Sequence, residues 1–126
     1  MDSRVQLIVS LIAQQRSATR LSAREAGSLL GLSEGYFLRL FKQEVGTTFR
    51  QYRRAARIAA VVNLLIDNSA SVKHVAGAAG YEDVSNFHRD FSKVRGMSPR
   101  QWRLMEFDRR LQSLNAAELE ASKSPE

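Results

Sequence analysis

Two arginines in matching surroundings carry the most chemistry in this chain. Arg39 lies in Phe37-Leu-Arg-Leu-Phe41 and Arg89 in Phe87-His-Arg-Asp-Phe91, each between phenylalanines spaced i, i+4. On a helix such an aromatic pair faces inward, which turns the arginine between them outward. A guanidinium presented this way can bridge O6 and N7 of guanine or grip a phosphate through two donors. The outward stripe around the first arginine reads Gly35, Leu38, Arg39 and Lys42. Around the second it reads Val84, Ser85, His88, Arg89 and Ser92, with Asn86 at its edge. That mixture can donate to base edges and phosphates and can touch a thymine methyl group.

The charge balance suits an anionic partner. The 126 residues carry 19 basic and 13 acidic side chains, a net +6, and 15 of the basic ones are arginine. Residues 1–105 hold 16 basic and 8 acidic groups, whereas 106–126 hold 3 and 5. A solvated basic surface is the alternative that charge alone leaves open. Other chemistries are poorly supplied. There is no cysteine for disulfides, thiolate catalysis or Cys-ligated zinc, and two histidines are too few for a His-rich metal site. No nucleotide-binding loop or nucleophile–base pair is present, and Glu82-Asp83 reads as a turn and a cap, so neither enzyme nor cofactor is expected. The longest apolar run, from Ile58 to Leu65, is broken by Asn63 and falls short of the ~18 residues of a membrane span. The start Met-Asp-Ser-Arg lacks a secretory pattern, so no membrane partner and a cytoplasmic location are expected.

The elements that must position these residues are helices. Two prolines and no alternating apolar–polar run leave strands without support, and the length suits one compact unit. A first helix is expected over about 4–16. Ser22-Ala-Arg-Glu25 is a capping box opening a second that stops at Gly31. Ser33 caps a third, closed by Gly46. Thr48-Phe-Arg-Gln51 opens a long fourth helix reaching about Asp67. A fifth runs from Ser71 to Gly80, and Asp83 caps a sixth, closed by Gly96. Ser98-Pro-Arg-Gln101 starts the seventh, with Pro99 where its missing N–H costs nothing. Leu104, Phe107, Leu111 and Leu114 predict a further amphipathic helix folding back, followed by a disordered end from Ser122.

An internal repeat organises these helices. At an offset of 50, Phe37, Arg39, Phe41, Gly46, Arg50, Gln51 and Arg53 fall on Phe87, Arg89, Phe91, Gly96, Arg100, Gln101 and Arg103. Tyr52 falls on Trp102, and two capping boxes coincide. Upstream the offset is 49, placing Gly27 on Ala76 and Gly31 on Gly80. Each unit is a short helix, a glycine-containing turn and a second helix, the helix-turn-helix layout whose second helix enters the DNA major groove. The expected architecture is all-α: one such subdomain in 1–46, a linker helix in 47–68, a second in 69–106, and an extension in 107–126. At 1.5 Å per residue a linker of about twenty residues spans roughly 30 Å, near one turn of B-DNA.

The segments Gly31–Gly46, Val75–Phe91 and Gly96–Arg103 resemble the DNA-binding domain of the AraC/XylS family over about residues 5–105. The resemblance implies a transcription regulator that places two recognition helices in successive major grooves as a monomer. By position it implies base reading by Gly35, Leu38 and Arg39 and by Val84, Ser85, Asn86, His88 and Arg89. Backbone contacts fall to Ser33, Lys42, Thr48, Ser92 and Ser98, helped by the N–H groups of helix starts. Activation through RNA polymerase is what the resemblance most often implies, with simple repression as the open alternative. Arg50, Arg53, Arg54 and Arg57 form a stripe that either faces DNA or keeps the linker helix wet. Ala59, Ala60, Val61 and Val62 make that helix apolar almost all round, so it is either deeply buried or exposes a patch. The rival reading is an all-α protein-interaction module using the linker and C-terminal helices.

Overall fold

The computed structural model describes residues 1–14, 19–66 and 70–123, apart from the side chain of Lys123. The expected ends of the first and fourth helices, and residues 124–126, lie outside the described residues. Seven α-helices follow one another: α1 (Ser3–Gln14), α2 (Ala23–Leu29), α3 (Glu34–Val45), α4 (Phe49–Val61), α5 (Val72–Ala78), α6 (Val84–Arg95) and α7 (Pro99–Lys123). No strand occurs among the described residues, so the fold is all-α. Among the described residues no helix is long and apolar enough to cross a membrane.

Local chemistry starts and stops these helices. Ser22 and Thr48 each form a reciprocal capping box, with Glu25 and Gln51. Ser98 and Gln101 exchange the same pair of bonds at 3.0 and 3.1 Å. Ser33, Ser71 and Asp83 accept from one N–H each at the starts of α3, α5 and α6. Gly46 and Gly96 close α3 and α6 in the left-handed region.

Two apolar cores form, and α4 contributes to both. The first gathers Val5, Ile8 and Ile12 of α1, Ala26, Phe37, Phe41 and Phe49, with Tyr52 packed alongside. Its rings meet edge to face, Phe37 and Phe41 lying 5.0 and 5.2 Å from Phe49. The second gathers Ile58, Val61, Leu65, Val75, Ala76, Ala79, Phe87, Phe91 and Trp102. Helix α4 therefore closes the first unit with its N-terminal half and founds the second with its C-terminal half. Burial explains its apolar circumference in part: Ile58 and Val61 are fully enclosed and Ala60 and Val62 half-buried, while Ala59 is exposed.

The structure departs from the sequence reading at two places. The linker is not α-helical to Asp67: α4 ends at Val61, and Val62–Leu65 winds as a 3-10 turn. The tighter winding stacks residues three apart, and here it carries Val62 and Leu65 together against the second core. The extension does not fold back either. Helix α7 continues straight through Ser122 to Lys123, with Leu104, Phe107, Leu111, Leu114 and Leu119 all exposed. Pro99 and Trp102 bury the start of α7 and Arg103 binds Leu65 O and Ala70 O; beyond them the apolar residues of the extension stay uncovered.

Candidate nucleic-acid interface

The second helix of each unit, α3 or α6, is held by the same joint. Leu32 N–H donates to Gly27 O at 2.8 Å in the first turn, and Tyr81 N–H to Ala76 O at 3.0 Å in the second. Gly31 and Gly80 take the positive φ these turns require, +71° and +90°. Close approach of α2 to α3 needs Gly27, where a Cβ would stand 2.9 Å from Leu32 O and 3.3 Å from Ser33 O. The phenylalanine pairs of α3 and α6 are completely buried, as their spacing requires.

That burial turns the opposite faces outward. On α3, Gly35, Arg39 and Lys42 are exposed and Leu38 is 37% exposed. The Arg39 guanidinium folds back over Gly35, its Nη1 standing 3.7 Å from where a Cβ would lie. On α6, Ser85, Asn86, Arg89 and Ser92 are exposed, while Val84 and His88 are half-buried. The His88 ring packs edge-on beside Phe87 at 6.4 Å. Asn86 sits on the side toward α4, in a recess it shares with Arg50, Arg57 and Arg89.

The carboxylate next to Arg89 in sequence is engaged by other residues. Asp90 accepts from the Tyr81 hydroxyl at 2.7 Å and pairs with Arg54 at 3.4 Å. Neither Arg39 nor Arg89 forms an ion pair with a described residue, so both guanidiniums keep their full donor capacity.

The backbone-contact candidates divide by donor capacity. Lys42 and Ser92 are exposed without caps to make. Ser33, Thr48 and Ser98 use their oxygens as caps, accepting from Tyr36, Gln51 and Gln101. Their hydroxyl hydrogens stay available. The N–H groups of Thr48 and Ser98 are already bonded to glutamine side chains, which leaves only the hydroxyls and later N–H groups as donors there.

The arginine stripe of α4 resolves into separate tasks. Arg53 Nη1 donates to Leu21 O, just ahead of α2. Its repeat counterpart Arg103 donates to Leu65 O and to Ala70 O, both at 2.6 Å, just ahead of α5. Arg57 donates to Gly80 O at 3.2 Å and lies 4.6 Å over the Tyr81 ring. Arg54, Asp90, Tyr81 and Arg57 thus lock α4 to the second turn and to α6. Burial, then the hydrogen bond to Asp90, push the Tyr81 phenol well above its ordinary value of 10.0. Sequence reasoning missed this lock, since nothing in the spacing relates position 54 to position 90.

A duplicated helix-turn-helix on one shared helix, with an arginine presented at the same place on each second helix, defines a tandem helix-turn-helix DNA-binding domain. The chain belongs to the AraC-type helix-turn-helix family of transcription regulators: a family profile described as "Helix-turn-helix domain" matches residues 27–105. It is 33% identical over 90 residues to the melibiose operon regulatory protein of Escherichia coli K12, covering 71% of this chain and 30% of that protein. It is 35% identical over 72 residues to the HTH-type transcriptional activator RhaR of Cronobacter sakazakii, covering 57% and 25% respectively. The chain thus spans about a third or less of these relatives. Among solved structures, the C-terminal domain of AraT, a response regulator from Geobacillus stearothermophilus, superposes with a TM-score of 0.73 at 26% identity, covering 81% of this chain and 84% of that one. The C-terminal domain of the response regulator yesN from Fusobacterium nucleatum gives 0.71 at 26% identity, over 81% and 99%.

Proposed function

We propose that this chain binds double-stranded DNA sequence-specifically by seating α3 and α6 in successive major grooves, and that it activates transcription in the cytoplasm through contact with RNA polymerase. The observation that carries the DNA reading is the pair Arg39 and Arg89, set at equivalent points of two buried-phenylalanine helices and left without acidic partners. Leu38, Val84, Ser85, Asn86 and His88 complete the base-reading faces, with Gly35 leaving room beside Arg39. Ser33, Lys42, Thr48, Ser92 and Ser98 hold phosphates. Activation is supported by the likeness to RhaR, itself described as an activator.

The two units run head to tail along one chain, so they relate by translation along the groove and not by a two-fold axis. A palindromic operator mirrors two-fold protein symmetry. One monomer therefore occupies one asymmetric site of two major-groove segments. Selection from a random DNA pool, followed by sedimentation of the complex, tests this. An asymmetric site bound by one protein is expected; a compulsory two-to-one complex on a palindrome refutes it.

A further inference from the structure

A cavity between α4 and the second unit is lined by more positive charge than the fold uses. Arg50, Arg53, Arg54, Arg57 and Asp90 enclose about 190 Å³, and an adjoining recess extends past Arg50 and Arg57 to Asn86 and Arg89. Four guanidiniums share this space with one carboxylate, and both oxygens of that carboxylate are engaged, by Arg54 and Tyr81. Arg53 is pushed below its ordinary value by burial first and then by the charges of Arg57 and Arg50, with Glu25 offsetting part of this. The crowding is therefore not relieved from within the cluster.

One guanidinium there is both unspent and accessible. Arg57 commits Nη2 to Gly80 O, but its Nε is buried and finds no acceptor among the described residues. With no surface exposed, that atom cannot reach a ligand, so Arg57 brings charge to the cavity and not a further hydrogen bond. Arg50 stands beside it, exposed and without a hydrogen bond or ion pair to a described residue. Arginine clusters match tetrahedral oxyanions, which offer several acceptors to forked donors.

We infer that this cavity binds a phosphate group, taken by the exposed Arg50 guanidinium, with Arg54 and Arg57 adding to the field. The group has two chemical sources: a free phosphate or phosphorylated small molecule, or a DNA backbone phosphate lying between the two recognition helices. The second source rests on the DNA-binding reading above.

Arg50→Gln is the variant of choice, because Arg50 supports no internal contact and its loss leaves the fold intact. Melting of the DNA-free protein is followed against inorganic phosphate, with sodium chloride holding ionic strength constant. The wild type should gain a saturable rise, and Arg50→Gln should need at least about ten-fold more phosphate for the same rise. Phosphate stabilises many proteins by surface exclusion, so an equal rise in both proteins counts as no site. In the second arm, single methylphosphonates are placed through the spacer of the selected DNA site. About a ten-fold loss at one position in the wild type, shrinking below two-fold in Arg50→Gln, assigns the site to the DNA backbone. A phosphate response without that loss assigns it to a free anion. Absence of both overturns the inference. If no specific DNA site can be selected, the functional reading fails while the phosphate arm alone decides this one.

Discussion

Gly27→Ala should destabilise the protein, although alanine is the better helix former by about 1 kcal/mol. The new methyl carbon would stand 2.9 Å from Leu32 O, 3.3 Å from Ser33 O and 3.4 Å from Phe37 Cβ. Two of those three atoms are backbone, tied into the turn by the Leu32 N–H to Gly27 O bond and by the Ser33 cap. They cannot swing aside as a side-chain tip would. Overpacking costs about 1–3 kcal/mol, and against backbone atoms that cannot move it falls in the upper part, about 2–3 kcal/mol, so the balance after the propensity gain is about 1–2 kcal/mol of lost stability. For a domain of this size that corresponds to a fall in Tm of about 3–10 °C. Gly77→Ala is the internal control: it lies in α5, and its Cβ would meet nothing within 4 Å. It should gain about 0.5–1 kcal/mol. Urea unfolding of both variants checks the pair. A Gly27→Ala protein as stable as the wild type would refute the close crossing of α2 and α3, and with it the geometry that presents Arg39.

Arg103→Ala removes two charge-assisted bonds at 2.6 Å and should cost about 1.5–3 kcal/mol, read as a lower urea midpoint at unchanged slope. The Tyr81 phenol is raised in the folded state, so its neutral form contributes stability that is fully present below pH 10.0 and is lost as pH rises through the higher folded value. The difference in phenolate absorbance between wild type and Tyr81→Phe should accordingly appear only above pH 10.0; titration at that pH or below would contradict the Asp90 contact. Arg39→Ala and Arg89→Ala should each weaken binding to the selected DNA site roughly 5–150-fold in a mobility-shift titration, with most non-specific affinity retained.

Much of the fold was legible because it is written twice. Caps and closing glycines recur at a nearly constant offset, and each has a local chemical meaning that needs no tertiary knowledge. The presented arginines were legible for the same reason, since paired phenylalanines fix which side of a helix is buried. What was illegible depends on contacts across the chain. Arg53 and Arg103 are identical in the repeat, yet identity alone does not distinguish a DNA contact from the clamp onto Leu21 O or Ala70 O that each in fact makes. The lock of Arg54, Asp90, Tyr81 and Arg57 has only a partial counterpart in the first unit, Arg4 over the Tyr36 ring, and Asp90 falls on Leu40, so the repeat could not reveal it. The early end of α4 was hidden because Val62–Leu65 has an apolar pattern that suits an α-turn and a 3-10 turn alike.

The duplication is also longer than the recognised offsets of 49 and 50 suggest. Val5, Ile8 and Ile12 of α1 have the spacing of Ile58, Val61 and Leu65, and each trio forms the buried floor beneath one helix-turn-helix. The offset there is 53, because the connection from this floor to the short helix is longer in the first unit, which masks the match. Helix α1 is to the first unit what the end of α4 is to the second, and the start of α4 is to the first unit what α7 is to the second. One helix is thus both the last element of one module and the first of the next. Two modules joined by a flexible tether could adjust to any spacing of their sites; modules that share a helix cannot. The separation and relative turn of α3 and α6 are consequences of the length of α4, and the ties from Arg54 and Arg57 to the second unit remove the remaining freedom of rotation. A spacer lengthened by one base pair should therefore be resisted by the protein's own core, and the DNA must deform to fit it.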